Sequence, residues 1–140
     1  MREVVITGIG IISSLGNNIS EVTNSLRNLK SGISENIINK ELGLRSHVSG
    51  SIRNLEPKDL IDRKLYRFMG DAAAYAYLST EEAIKDASLN DSELSNQKTG
   101  LIMGSGGPST KSLLRAFDIT REKGPKKNRA NKCSKSNVQH

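Results

Sequence analysis

Tryptophan is missing from this 140-residue chain, and only two phenylalanines and three tyrosines are present. Any core must then be built from Ile, Leu, Val and Ala. At this length one ordinary domain buries about two-thirds of its unfolded surface. The scarcity of aromatics also argues against a single-strand nucleic-acid platform, which stacks bases on aromatic side chains set among basic ones. A lone cysteine, Cys133, excludes an internal disulfide and fits a reducing compartment. No apolar run reaches the roughly 20 residues that a membrane-spanning helix needs. The N-terminal apolar stretch is broken by glycines, carries Glu3 beside Arg2 and has no small-x-small cleavage site, which excludes a secretory signal. A cytoplasmic chain with neither a membrane nor a nucleic-acid partner is expected.

The body of the chain has no excess of either charge. Residues 1–120 hold 14 Lys and Arg against 14 Asp and Glu, while residues 121–140 hold seven basic residues and only Glu122. The whole net charge of +6 therefore resides in the last 20 residues. Such a block is usually a solvated tail and only sometimes a nucleic-acid arm.

What is present alternates between strand and helix signals. "VVITGIGII", from Val4, is β-rich and lacks helical periodicity, so it predicts a strand buried on both faces. Ser20 is a good N-cap for a helix running to Lys30, ended by Ser31-Gly32. Residues 33–57 read as irregular. A long helix is expected from Leu60 to Ala87, because Leu65, Met69, Ala72, Ala73, Ala76, Ala83, Ile84 and Ala87 recur at three- and four-residue spacings. "TGLIMGSGG" predicts a second buried strand running into a glycine loop, and residues 110–122 a last helix. This order implies an α/β layer with a parallel sheet.

Two glycine-rich stretches invite a nucleotide reading, and both depart from the pattern it requires. Gly8 and Gly10 fit a G-x-G-x-x-G turn, but Ser13 occupies the third glycine position, where close helix–strand packing is needed. In "GSGGPSTKS", aligning Lys111-Ser112 with a P-loop puts Ser105 and Thr110 at the defining glycines. A loop between strand and helix is the favoured reading, and no cofactor or metal is expected.

Taken together, "ITGIGIISSLGNN", "RSHVSG", "IDRKLYRFMGDAAAYA" and "TGLIMGSGG" resemble the N-terminal part of the β-ketoacyl-acyl-carrier-protein synthases, over about residues 3–127. "RSHVSG" and "DRKLYRFM" look most like the synthase I type. The resemblance implies part of a thiolase-like αβαβα fold, a homodimer in the full-length family, and elongation of fatty acyl chains on acyl carrier protein. The family performs a decarboxylative condensation. A cysteine at a helix N-terminus, where the dipole lowers its pKa, takes the acyl chain. Two histidines and a lysine then help malonyl carrier protein lose CO2 and stabilise the developing oxyanion. All four family residues fall beyond the resembling segment, so no catalytic residue is expected here and the chain alone should be inactive.

The same resemblance implies carrier-protein contacts at Arg63, Lys64 and Arg67, and at Lys123 and Lys126 in "REKGPKK". It also implies an acyl-pocket border in the 104–107 loop and its neighbour, at Gly106, Gly107 and Pro108. Pro108 replaces the small residue often found there. Cys133 lacks the small-residue strand–helix junction of the family's nucleophile and reads as a bystander. His47 reads as a structural or partly exposed histidine, and His140 is terminal. The rival class is a small binding protein that holds an acidic partner, acyl carrier protein or nucleic acid, through the helix around residues 60–70 and the tail.

After "GPKK" at 124–127, the residues "NRANKCSKSNVQH" depart from the family pattern, so 1–127 is expected to be the family portion and 128–140 a basic tail outside it. A frameshift would produce such a change, leaving a truncated synthase reading frame. Its strands would lack partner layers and expose apolar surface. Translating the encoding DNA in three frames past codon 128 tests this. The family's cysteine and histidines should reappear in another frame; their absence from every frame makes the tail genuine.

Overall fold

Residues 3–125 are described by the computed structural model. They divide into two units, residues 3–55 with 78–90 and residues 56–77 with 91–125.

In the first unit, the turn after residue 12 is closed by paired backbone bonds between Ser13 and Gly16, at 2.9 and 3.3 Å. Helix α1 (Ile19–Arg27) follows. Its cap is Asn18, not the expected Ser20: the Asn18 side chain accepts from the Glu21 N–H, and Glu21 in turn accepts from the Asn17 N–H at 2.8 Å. An asparagine followed three residues later by glutamate satisfies two orphan amides at once. Val22 and Ser25 are the buried positions of α1, and the Ser25 hydroxyl donates to the Leu15 carbonyl at 2.8 Å.

Residues 33–57 are more ordered than their composition suggests. Strand β1 (Ile33–Glu35), helix α2 (Ile37–Glu41) and strand β2 (Val48–Gly50) form an antiparallel pair around a helical turn, with Ile33 opposite Gly50 and Glu35 opposite Val48. Asn36 caps α2 and also donates to the Ser49 hydroxyl at 3.0 Å. Gly43 follows α2 with φ +67°, the left-handed region that glycine enters without strain. His47 is exposed and accepts through its backbone carbonyl from the Asn36 N–H at 2.6 Å.

The remaining helices are α3 (Pro57–Leu60), α4 (Arg63–Tyr66), α5 (Asp71–Asp86), α6 (Asp91–Leu94) and α7 (Thr110–Lys123). The single helix expected over 60–87 is thus three. Ile61 is extended, and Asp62 turns its carboxylate onto the Lys64 and Leu65 amides, at 2.8 and 3.4 Å, starting a new helix. Side-chain periodicity is continuous across this break, but a capping carboxylate and non-helical backbone override it. Buried Ile61, Ala74 and Ala116 form the small core of the second unit. None of the helices is long and apolar enough to cross a membrane among the described residues.

The two expected buried strands are not paired. Residues 3–12 and 99–104 are in no strand, and Val4, Ile6 and Ile102 are 91%, 85% and 97% exposed. A buried parallel strand requires neighbours along its edges and layers on its faces, and among the described residues the one sheet is β1–β2. The first segment is held instead by α5. The Ile9 N–H donates to Asp86 Oδ2 at 2.9 Å, and the Ile11 N–H to Glu82 Oε2 at 2.9 Å. Glu82 Oε1 also accepts from the Ile19 N–H at 2.8 Å. Gly8 and Gly10 face the helix so closely that an added Cβ would overlap the Ala83 and Ser79 carbonyls. The opening glycines therefore serve close backbone packing.

Gly10→Ala should destabilise the full chain by about 1–3 kcal/mol through overpacking. Glu82→Ala should cost about 2 kcal/mol by leaving two amides without their acceptor. Urea unfolding checks both, and Glu82→Gln should recover part of the second loss.

Candidate functional site

Arg63 and Lys64 occupy the first turn of α4, a four-residue helix, and Arg67 caps its end. All three side chains are exposed. Asp62, their nearest acidic neighbour in sequence, is committed to the helix amides. Among the described residues no carboxylate lies within ion-pair distance of any of the three. The Arg67 guanidinium lies 4.5 Å from the Phe68 ring centroid, a cation–π contact that holds its orientation. Breaking the long helix keeps the three cations within one short turn and its cap.

The same unit contains a cleft of about 430 Å³, lined among others by Tyr66, Arg67, Asp71, Lys111, Ser112 and Arg115. Ser109 is the N-cap of α7 and accepts from the Ser112 N–H at 3.3 Å. Lys111 and Arg115 are four residues apart on α7 and share a face. Lys111 Nζ stands 3.8 Å from Asp71 Oδ2, an exposed pair worth little by itself. Tyr75 has its phenol pKa raised above 10.0, first by burial and then by the negative charge of Asp71, with smaller contributions from Tyr66 and Glu56.

In the sequence Lys111 was weighed only as a P-loop lysine and Arg115 was not singled out; the available signal was the good N-cap Ser109 followed by basic residues four apart on the expected helix.

The other expected site residues are dispersed. Lys123 is the last residue of α7 and exposed. Gly106, Gly107 and Pro108 lie in an exposed loop, with open space around both glycines and the Ser105 hydroxyl bonded to the Gly107 carbonyl at 2.8 Å. Lys126, Cys133 and His140 lie outside the described residues. Among the described residues no group of three or more His, Cys, Asp or Glu side chains is placed to hold a metal ion.

Comparison with known proteins gives a specific result. The family described as Beta-ketoacyl synthase, N-terminal domain, matches residues 1–137, past residue 127 where the motif resemblance stops. The chain is 54% identical over 121 residues to 3-oxoacyl-[acyl-carrier-protein] synthase 1 of Haemophilus influenzae, covering 86% of this chain and 30% of that protein. It is 47% identical over 127 residues to the synthase 1 of Escherichia coli K12, covering 90% and 30%. The chain thus spans about 30% of the length of these curated relatives. A β-ketoacyl synthase structure from Burkholderia phymatum matches with TM-score 0.78 and 24% identity, over 97% of this chain and 35% of that one. The ishigamide ketosynthase/chain length factor matches with TM-score 0.79 and 23% identity, over 95% and 33%. These two structures establish the fold, part of the thiolase-like α/β architecture that the motifs implied.

Asp71→Asn should lower the Tyr75 phenol pKa, read by NMR titration with labelled tyrosine. A raised phenol pKa favours folding below 10.0 and loses that contribution as pH rises above it. The alkaline fall in stability should therefore be shallower in the variant.

Proposed function

The chain belongs to the β-ketoacyl synthase family, matching its N-terminal domain, and on that premise we propose that it is the carrier-protein-docking front of a synthase 1 type condensing enzyme in fatty acid biosynthesis. One observation carries the reading: exposed Arg63, Lys64 and Arg67 stand together on α4 with no carboxylate paired to them among the described residues. An acidic carrier protein is steered by such a patch, which raises the encounter rate and fixes orientation. Lys123, the last residue of α7, is assigned to the same docking surface, and the family resemblance adds Lys126, outside the described residues.

In this reading, binding belongs to the chain and condensation does not. Residues 3–125 contain no cysteine, so they offer no thiolate to accept an acyl group. The family's nucleophile, its two histidines and its lysine fall beyond residue 127. Gly106, Gly107 and Pro108 are assigned to the border of the acyl pocket. Exposed Val4, Ile6, Leu101 and Ile102 are the surface that the other layers and the partner subunit of the full-length family would cover. The working compartment is the cytoplasm.

The concentration of positive charge in residues 121–140 favours a second reading, a small binding protein whose tail captures an acidic partner. Deleting residues 128–140 separates the two: binding survives under the first and disappears under the second.

Acyl carrier protein titrated into the full chain should bind, and Arg63→Glu with Lys64→Glu should weaken that binding by about tenfold or more, mostly through the association rate at low salt. Unchanged binding in the double variant overturns the docking surface. The chain alone should show no condensation of acyl and malonyl thioesters.

A further inference from the structure

The stretch that fails as a P-loop still gathers an unusual set of hydrogen-bond donors. Arg67, Lys111 and Arg115 line the cleft of about 430 Å³, and Asp71 is the one carboxylate among its lining residues. Three cations against one anion leave it net positive by two. Arg67 is positioned by the Phe68 ring at 4.5 Å. Lys111 is held by Asp71 only at 3.8 Å and in an exposed pair, so it can turn to a stronger anion.

The hydroxyls add direction. Ser109 Oγ donates to Ser112 Oγ at 3.2 Å and accepts from the Ser112 N–H at 3.3 Å. The hydroxyl hydrogen of Ser112, a cleft-lining residue, is thereby left to donate elsewhere. Apart from Asp71, and from Ser109, whose hydroxyl hydrogen is spent on Ser112, the charged and hydroxyl side chains lining the cleft are hydrogen-bond donors. A tetrahedral group that accepts on every oxygen and carries up to two negative charges fits this set better than a planar carboxylate. The volume leaves room for a substituent on that group.

We propose that this cleft, between the start of α5 and the first turns of α7, is a phosphate site that takes inorganic phosphate or a simple phosphate monoester. It shares Arg67 with the docking patch, but it is tested without a carrier protein and through residues outside that patch. The full chain is titrated with inorganic phosphate and, separately, with ethyl phosphate, at constant ionic strength, following the amide NMR signals of residues 109–116. Saturable shifts confined to the cleft are expected with at least one of the two probes. The tighter binder identifies the source of the phosphate, free or esterified.

Lys111→Ala and Arg115→Ala should each weaken binding by about tenfold, as loss of one charge-assisted hydrogen bond implies. Lys111→Arg should retain binding, and Asp71→Asn should strengthen it by removing the competing anion. Lys98→Ala, outside the cleft, should leave it unchanged. Helix content by circular dichroism shows that each variant remains folded. The proposal is overturned by non-saturable shifts spread over all the basic residues. It is equally overturned by saturable binding that well-folded Lys111→Ala and Arg115→Ala leave intact.

Discussion

An extended segment without a strand beside it must still satisfy its amides, and two carboxylates on α5 meet that demand here. Asp86 accepts from Ile9 and Glu82 from both Ile11 and Ile19, so one helix face fixes the segment on either side of the Ser13–Gly16 turn. The arrangement works only because Gly8 and Gly10 present no Cβ to the helix backbone. Hydrogen bonding and close approach are therefore one constraint. The glycines admit the contact, and the acidic side chains at i and i+4 give it direction. The placement of α1 follows, since Ile19 is both its first residue and a donor to Glu82. The turn also meets the β1–β2 pair, with Gly32 and Gly50 lying against Ser14.

A second local device shapes the electropositive unit. Asp62 ends one helical path and begins another, and in doing so commits its charge to backbone amides. The neighbouring Arg63 and Lys64 are left facing solvent. A net-neutral body can then display a concentrated positive surface without any excess of basic residues nearby. Asp71 acts differently. It stands beside Lys111 and also raises the Tyr75 pKa, so its charge tempers the cations lining the cleft.

Much of this was legible in order and type, less in detail. Helix α1 was foreseen from a cap residue and α7 as a helical stretch over 110–122, with the cap of α1 displaced from Ser20 to Asn18 because the asparagine pairs with Glu21. The hairpin around α2 was not foreseen, since three-residue strands show no alternation long enough to read. The break at Ile61–Asp62 was missed because apolar spacing runs through it. The basic cluster at 63–67 was visible as a cluster, whereas the cleft needed α7 folded beside the start of α5 within one unit.

The sequence by itself determined the family, through four motifs in order. It also determined the neutral body with its basic tail, and the lack of any thiol before Cys133. These depend on residue identity and spacing along the chain. Tertiary structure alone decided that Gly8 and Gly10 serve helix packing, that Glu82 and Asp86 act as backbone acceptors, and that Arg67, Lys111 and Arg115 share a cleft. The reason is physical. Hydrogen bonds and charges act over a few ångströms of space, and the segments brought together here, Ile9 with Asp86 or Arg67 with Lys111, are separated by 44 to 77 positions in the chain.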